Sequence, residues 1–227
     1  MLSTDMLHCY LLPGSATHCE ATYLKHYHQT LSFWREIIQS ALTEEKNFSA
    51  ADNLKDTHFT ENNEAVVLFD QTHPIGLFMF RWLDLDHIDP ATHTALTNRF
   101  SSHLLDYLHT KKLNRLMLMG QLAIDPRWRK SSANLAIADI LMGFAINRFT
   151  ESSADSLLTT TRNNRRTNAL CYRRGGQQFS NAVVFNVASD TVFFERSFVK
   201  PLESPLLENT ISRLWRDKTV CTTGLAD

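Results

Sequence analysis

Residues 115–125, RLMLMGQLAID, narrow most sharply what this chain can become. The run is apolar at nearly every position, without the stripe of a surface helix or the alternation of a half-exposed strand. A strand of that kind is covered on both faces, which calls for helical crossovers and parallel neighbours. It ends at Asp125-Pro126 and passes through a basic turn, RWRKSSAN. A helical pattern follows, with Ile137, Ile140, Leu141, Phe144 and Ala145 on its inner face. The chain therefore contains at least one strand–turn–helix arm of an α/β unit.

The remaining pattern fits around that arm. Thr17-His-Cys-Glu20 has the form of a capping box, and Tyr27, Leu31, Trp34, Ile38 and Ala41 recur at helical spacing, which predicts an amphipathic helix over 20–45. Residues 46–63 are polar and read as a loop containing a short turn. Residues 64–86 read as a β-hairpin turning around Asp70–Pro74. Asp89-Pro90 starts a helix, with Leu96, Phe100, Leu104 and Leu108 on one face and an end near Lys111-Lys112. SLLTTT is a further strand, NRRTNALCYRR a short helix, NAVVFNV and TVFFERSFV a final pair of strands, and residues 209–216 a short helix in the tail. The order implies an α/β fold with a mixed sheet, antiparallel at its ends and parallel in the middle. No internal repeat or long linker divides the chain. The expectation is one domain: an N-terminal helical region over 1–63, the core sheet over 64–200 and a tail over 201–227.

Composition excludes several classes. With 43% hydrophobic residues, 227 residues can bury one sizeable core or two small ones. Seven glycines and six prolines argue against a low-complexity chain or a turn-dense barrel. No apolar run approaches membrane-spanning length. Asp5, and the lack of early basic residues, argue against a signal peptide. Cys9, Cys19, Cys171 and Cys221 form no framework, so reduced thiols and a cytoplasmic location are expected. His8, His18, His26 and His28 match no familiar zinc spacing, and no metal is expected. Net charge is −1, yet residues 111–130 and 162–174 hold eleven of the 23 Lys+Arg and a single acid, Asp125. Each basic stretch adjoins a strand end. A solvated surface explains them, and so does an anion site. Nucleic-acid binding is disfavoured, because the stretches lack interleaved aromatics and a recognised motif.

The strand, the hP-aromatic-Arg turn and the long helix, followed by a strand, an Asn-containing helix with Tyr and then Gly, resemble the GNAT superfamily of acyl-CoA-dependent N-acyltransferases. The resemblance covers residues 64–88 and 114–196, and implies a central mixed sheet flanked by helices, here with extra N-terminal helices. It also implies transfer of an acetyl or acyl group from a CoA thioester to the primary amine of a small molecule or peptide. The family's cofactor turn, R/Q-x-x-G-x-G/A, aligns with Arg129, Lys130, Ser131, Ser132, Ala133 and Asn134, so the arginine matches and both glycines do not. A turn into a helix N-terminus attracts a diphosphate through backbone N–H groups and the dipole. Ser132 and Asn134 are tolerable substitutes, since Asn adopts positive φ and a Ser hydroxyl donates.

By the same resemblance, residues 121–125 would pair with the pantetheine arm, and backbone N–H near Leu122, Ala123 and Ile124 would meet the thioester carbonyl. Tyr172 would protonate the departing thiolate; its alternative is a half-buried packing tyrosine. Asn164 would contact the cofactor arm, or cap the helix beginning there. Gln177 stands where the family has Phe, and Phe179 takes that packing role. Arg162, Arg165, Arg166, Arg173 and Arg174 would meet nucleotide phosphates or an acidic acyl carrier protein, the donor for some relatives that make N-acyl amino acids. No general base is identifiable. Asp84, Asp86 and His87 are candidates in principle, each with a solvated loop as the simpler role. The alternative outside enzymology is the same fold without cofactor, as a binding module. Oligomeric state and the acceptor amine are open at this stage.

Overall fold

The computed structural model describes residues 6–129, 136–184 and 186–223. It contains two compact units, each assembled from separate stretches of chain. The first comprises Met1–Arg81, Gly120–Asn147 and Leu202–Asp227; the second comprises Trp82–Met119 and Arg148–Pro201.

In the first unit, β1 (Leu7–Pro13) lies between β2 (Glu64–Asp70), antiparallel to it, and β8 (Thr219–Val220), parallel to it. β3 (His73–Asp84) continues the sheet antiparallel to β2, from Glu64↔Phe80 to Asp70↔His73. Gln71, at φ 52°, makes the tight turn of this hairpin, and Pro74 sits one residue into β3, opposite a register shift at Leu68/Phe69. The hairpin is where the sequence places it. β1 and β8 are additions: residues 7–13 are a strand inside the stretch read as helical, and the tail returns to pair with it. Leu7, Cys9 and Leu11 are its buried alternate positions.

Helix α1 spans Leu24–Glu44 and buries Tyr27, Thr30, Trp34, Ile37 and Leu42, with Leu31 and Ile38 partly buried against the same core. The capping box does not form. Ser15 caps a short 3-10 turn at Ala16–His18, and the Glu20 N–H donates to the Cys221 carbonyl, 3.0 Å away. A second 3-10 turn, Ala21–Tyr23, then leads into the helix. Tertiary pairing with the tail thus displaces the local cap. Residues 46–63, read as a loop with one short turn, contain two short helices, α2 (Phe48–Asp52) and α3 (Thr57–Thr60). Phe59, on α3, is fully buried against Trp34 and Tyr27. One apolar residue in a polar segment has no periodicity to reveal it, yet burying it contributes about 2–3 kcal/mol.

The same unit holds the far end of β4 (Arg115–Ile124), a one-turn helix α6 (Pro126–Arg129) and most of α7 (Ile137–Glu151). All five inner-face residues expected of α7 are buried. Gly76 of β3 permits its close approach: a Cβ there would meet the Leu141 side chain at 2.7 Å. Helix α9 (Pro205–Arg216), capped by Ser204, buries Ile211, Leu214 and Trp215.

In the second unit, β4 pairs parallel with β5 (Ser156–Arg162), from Leu116↔Ser156 to Met119↔Thr159. β7 (Val187–Glu195) runs antiparallel to β5 on one side and to β6 (Gln177–Val184) on the other. The single helix expected over 89–112 is two, α4 (Pro90–Arg99) and α5 (Ser102–Thr110). Phe100 is extended and Ser101 restarts the helix by accepting from the Leu104 N–H. The expected Asp89 cap is present, accepting from Ala91 and Thr92 N–H at 3.0 Å each. Leu96, Phe100, Leu104 and Leu108 pack with Leu116, Leu118, Leu158 and Phe193. Parallel and antiparallel pairs with helices make this an α/β fold with mixed pairing. Among the described residues, no helix is long and apolar enough to cross a membrane.

Candidate active site

The residues singled out by sequence fall into two groups, one in each unit. The first is the end of β4. Gln121 interrupts the strand with φ 57°, a left-handed conformation that costs a non-glycine residue roughly 1–2 kcal/mol. Its side chain is fixed from α1, where the fully buried Trp34 donates its indole N–H to Gln121 Oε1 at 3.3 Å. Leu122 and Ile124 are half-buried and Ala123 is buried in the core.

The strand ends at a carboxylate. Asp125 is 7% exposed, and its N–H donates to the Ile75 carbonyl at 3.0 Å, tying the end of β4 to β3. Its Oδ1 accepts the Arg127 backbone N–H at 2.9 Å, and Arg127 Nη2 donates to Oδ2 at 2.6 Å. The hydrogen bond from the Arg127 guanidinium holds the Asp125 carboxyl below the usual carboxylate range. Asp125 is thus spent on folding the Pro126–Arg129 turn. Arg129 folds back so that its Nε donates to the Ile124 carbonyl at 3.0 Å. Two of the expected cofactor positions, Ile124 and Arg129, are therefore in direct contact. The others in the turn, Lys130, Ser131, Ser132, Ala133 and Asn134, lie outside the described residues.

The second group is organised by a residue the sequence did not single out. Helix α8 (Thr167–Arg173) begins later than expected, after a 3-10 turn at Asn163–Arg165 and Arg166 at φ 56°. Asn164 is exposed within that turn and caps nothing. Its neighbour Asn163 points inward instead, donating to Asp190 Oδ1 at 2.9 Å. Asn168 donates to Asp190 Oδ2 at 3.0 Å, the Tyr172 hydroxyl to the same oxygen at 2.5 Å, and Gln178 Nε2 to Oδ1 at 3.3 Å. The Asp190 carbonyl accepts from Thr161 Oγ1 at 3.2 Å. Donors from the 3-10 turn, α8 and β6 thus converge on one carboxylate of β7, a residue that is 5% exposed.

Partial burial pushes the Asp190 carboxyl up, but the hydrogen bonds from Tyr172, Asn163 and Asn168 outweigh it and hold the group below the carboxylate range. Burial, then the Asp190 hydrogen bond and charge, push the Tyr172 phenol far above its ordinary range. Ionising Tyr172 would place two negative charges on atoms 2.5 Å apart. The end of α8 fixes the tyrosine further. Gly175 N–H donates to the Tyr172 carbonyl at 3.1 Å and Gly176 N–H to the Cys171 carbonyl at 3.0 Å, the paired bonds of a Schellman ending. Gly175 has φ 93°, and a Cβ on it would overlap the Phe198 carbonyl oxygen at 1.7 Å.

The neighbours of this group sort out simply. Arg165, Arg166 and Arg173 are exposed, whereas Arg174 is 2% exposed and donates to the Lys200 carbonyl at 3.3 Å, so it leaves the set of anion-binding candidates. Burial pushes the Cys171 thiol up, making it inert. Phe179 packs against Tyr107 and His103. Asp84 and His87 bond each other at 2.9 Å in an exposed turn, and Asp86 accepts from Asn114. These three are solvated turn residues rather than a base.

Asp190 was obscured by its own surroundings. Residues 188–190, Ala-Ser-Asp, read as a turn between two strands, because Ser and Asp favour turns and are depleted from strands. The turn is in fact at Asn186, φ 62°, and Ser189, Asp190 and Thr191 are consecutive buried polar residues within β7.

By sequence, the chain matches no family model and no curated protein. By structure, it is similar to FeeM, an N-acyl amino acid synthase from uncultured soil microbes, with a TM-score of 0.56 at 11% identity over 86% of this chain and 94% of that one. It is also similar to an acyl-CoA N-acyltransferase from Pseudomonas aeruginosa, with a TM-score of 0.51 at 9% identity over 82% of this chain and 98% of that one. The chain has the fold of the GNAT-type N-acyltransferases.

Proposed function

We propose that this protein is a cytoplasmic N-acyltransferase that moves an acetyl or acyl group from a CoA thioester to a primary amine. The observation that carries the reading is the fold it shares, over most of both chains, with proteins that perform N-acyl transfer. Fold alone does not assign chemistry, and the reading is supported by the site residues. The chain is one functional domain, with its cofactor site within residues 64–200.

Acyl transfer needs the two reactants aligned, the carbonyl polarised and a proton moved from amine to thiolate. The strand from Gln121 to Asp125 receives the pantetheine arm, and backbone N–H among Leu122, Ala123 and Ile124 polarises the thioester carbonyl. Arg129, Lys130, Ser131, Ser132, Ala133 and Asn134 hold the diphosphate. The exposed Arg129 fits that role, since its Nε anchors to Ile124 and its terminal nitrogens suit phosphate. Tyr172 supplies the proton to the thiolate. Asn164, exposed beside the exposed arginines, contacts the cofactor arm. The coenzyme supplies an activated acyl carbon; no metal is required. The acceptor is the amine of a small molecule or peptide.

A second reading concerns the donor and the product. Similarity to an N-acyl amino acid synthase, together with exposed Arg165, Arg166 and Arg173, favours an enzyme that takes its acyl chain from an acidic carrier protein. A thiol-release assay with acetyl-CoA, palmitoyl-CoA and an acylated carrier protein, each with and without free amino acids or alkylamines, separates the readings. Amine-dependent thiol release from CoA supports the first, and release only from the carrier supports the second. Neither release nor a thermal shift with any thioester points to a binding module. Ser132→Gly with Asn134→Gly tests the turn: tighter CoA binding is expected, and unchanged or weaker binding would remove the diphosphate from it.

A further inference from the structure

The Tyr172 hydroxyl has one hydrogen, and it is already directed at Asp190 Oδ2. A phenol held in that way offers only its oxygen lone pairs to another partner. It meets substrate first as an acceptor, whereas an acid for the thiolate must donate. The Asp190 carboxylate in turn is filled: Asn163 and Gln178 occupy Oδ1, and Asn168 and Tyr172 occupy Oδ2. Four donors on two oxygens leave little room for direct contact with an amine.

We propose, resting on the acyl-transfer reading, that Asp190 is the positioning residue of a two-group proton shuttle in which Tyr172 is the member that touches substrate. The amine nitrogen attacks the thioester carbonyl carbon with its lone pair. An N–H proton passes to the Tyr172 oxygen while the Tyr172 proton passes to Asp190 Oδ2, so no phenolate forms. The C–S bond then breaks with its electron pair on sulfur. The thiolate takes a proton from Tyr172 as Asp190 returns one to Tyr172, and both groups regain their starting state. The net result is amide plus thiol, and the amine's proton has gone to the thiol. Because Asp190 is held below the carboxylate range, it gives its proton back readily. The shuttle supplies the base that the sequence left unassigned and keeps Tyr172 as the thiolate's acid.

The test compares Y172F, D190N and the double variant of the full chain with acetyl-CoA and whichever amine the wild type turns over. Each single variant is expected to lose about 10²-fold in kcat with KM for acetyl-CoA unchanged. The double variant is expected to be no slower than either single one, because the two groups act as a unit. D190E, which keeps a carboxylate, is expected to recover part of the loss. If Y172F keeps wild-type turnover while D190N is inactive, Asp190 is only scaffold and the shuttle is wrong; additive losses also overturn it. If D190N does not fold, Y172F and D190E carry the same decision.

A second readout needs no turnover. Alkaline titration of tyrosinate absorbance, with Tyr172 isolated by subtracting Y172F, should place its ionisation well above about 10, the ordinary tyrosine value. In D190N it should fall back toward that value, and an unchanged titration overturns the positioning role. A wild type that turns over no amine refutes the transfer reading and the shuttle together, while the titration still decides the Tyr172–Asp190 bond. A wild type that turns over while both single variants match it refutes the shuttle alone.

Discussion

Two of the buried carboxylates, Asp125 in the first unit and Asp190 in the second, solve the same problem in opposite ways. Asp125 is satisfied from within its own turn: Arg127, two residues on, supplies both a backbone N–H and the guanidinium. Asp190 is satisfied by neutral donors drawn from positions 163, 168, 172 and 178. A local ion pair costs little order to assemble, and its arginine side chain is 80% exposed, so solvent screens much of its worth. A buried carboxylate fed by separated segments forms only once those segments are in place. It therefore reports on the whole of its surroundings, and removing it orphans several groups at once.

That contrast can be broken by substitution. D190A should have the largest effect, about 3–5 kcal/mol of stability, because it leaves buried donors unpaired. Denaturant unfolding measures it, and a loss no larger than that of D125A would erase the distinction. Y172F should follow at about 2 kcal/mol, the usual worth of a hydrogen bond to a charged acceptor. D125A should cost about 1 kcal/mol, the value of a cap. R127A should cost least, about 0.5 kcal/mol or below, because its side chain is mostly in water.

Acid sharpens the comparison. Both carboxyls are held below the ordinary range, so the unfolded chain binds protons that the folded one does not. Their contribution is fully present above about 4, the ordinary carboxylate pKa, and is lost as pH falls through the lower folded values. The melting temperature should therefore drop on acidification, and less steeply in D190N than in wild type. Parallel slopes would mean that Asp190 is not linked to folding in this way.

The same contrast explains what could be read in the sequence. Features with local causes were legible: the Asp89-Pro90 helix start, the 64–86 hairpin, the α7 face and the apolar β4. Features with distant causes were not. The Thr17–Glu20 box lost its partner to Cys221, Phe59 had no periodic neighbours, and β1 needed a strand from the tail to complete its pairing. In the site, the Arg129 Nε and the Ile124 carbonyl, both on the strand-and-turn motif, bond each other, while Asn163, which faces Asp190, was not singled out beside Asn164. A 3-10 turn preceding α8 shifts which asparagine faces inward, and no local signal marks that turn. Asp190 was hidden because Ala-Ser-Asp has the composition of a turn, and only pairing with β5 and β6 makes it a strand.

The account rests on an acyl group leaving sulfur for nitrogen. Incubating the full chain with acetyl-CoA labelled in its acetyl carbons, together with a mixture of amino acids and alkylamines, tests that directly by mass spectrometry. The expected result is an amine carrying the labelled acetyl as an amide, formed in proportion to enzyme and scarcely formed by Y172F. Label that stays on coenzyme, or appears only as free acetate whatever amine is present, would contradict it.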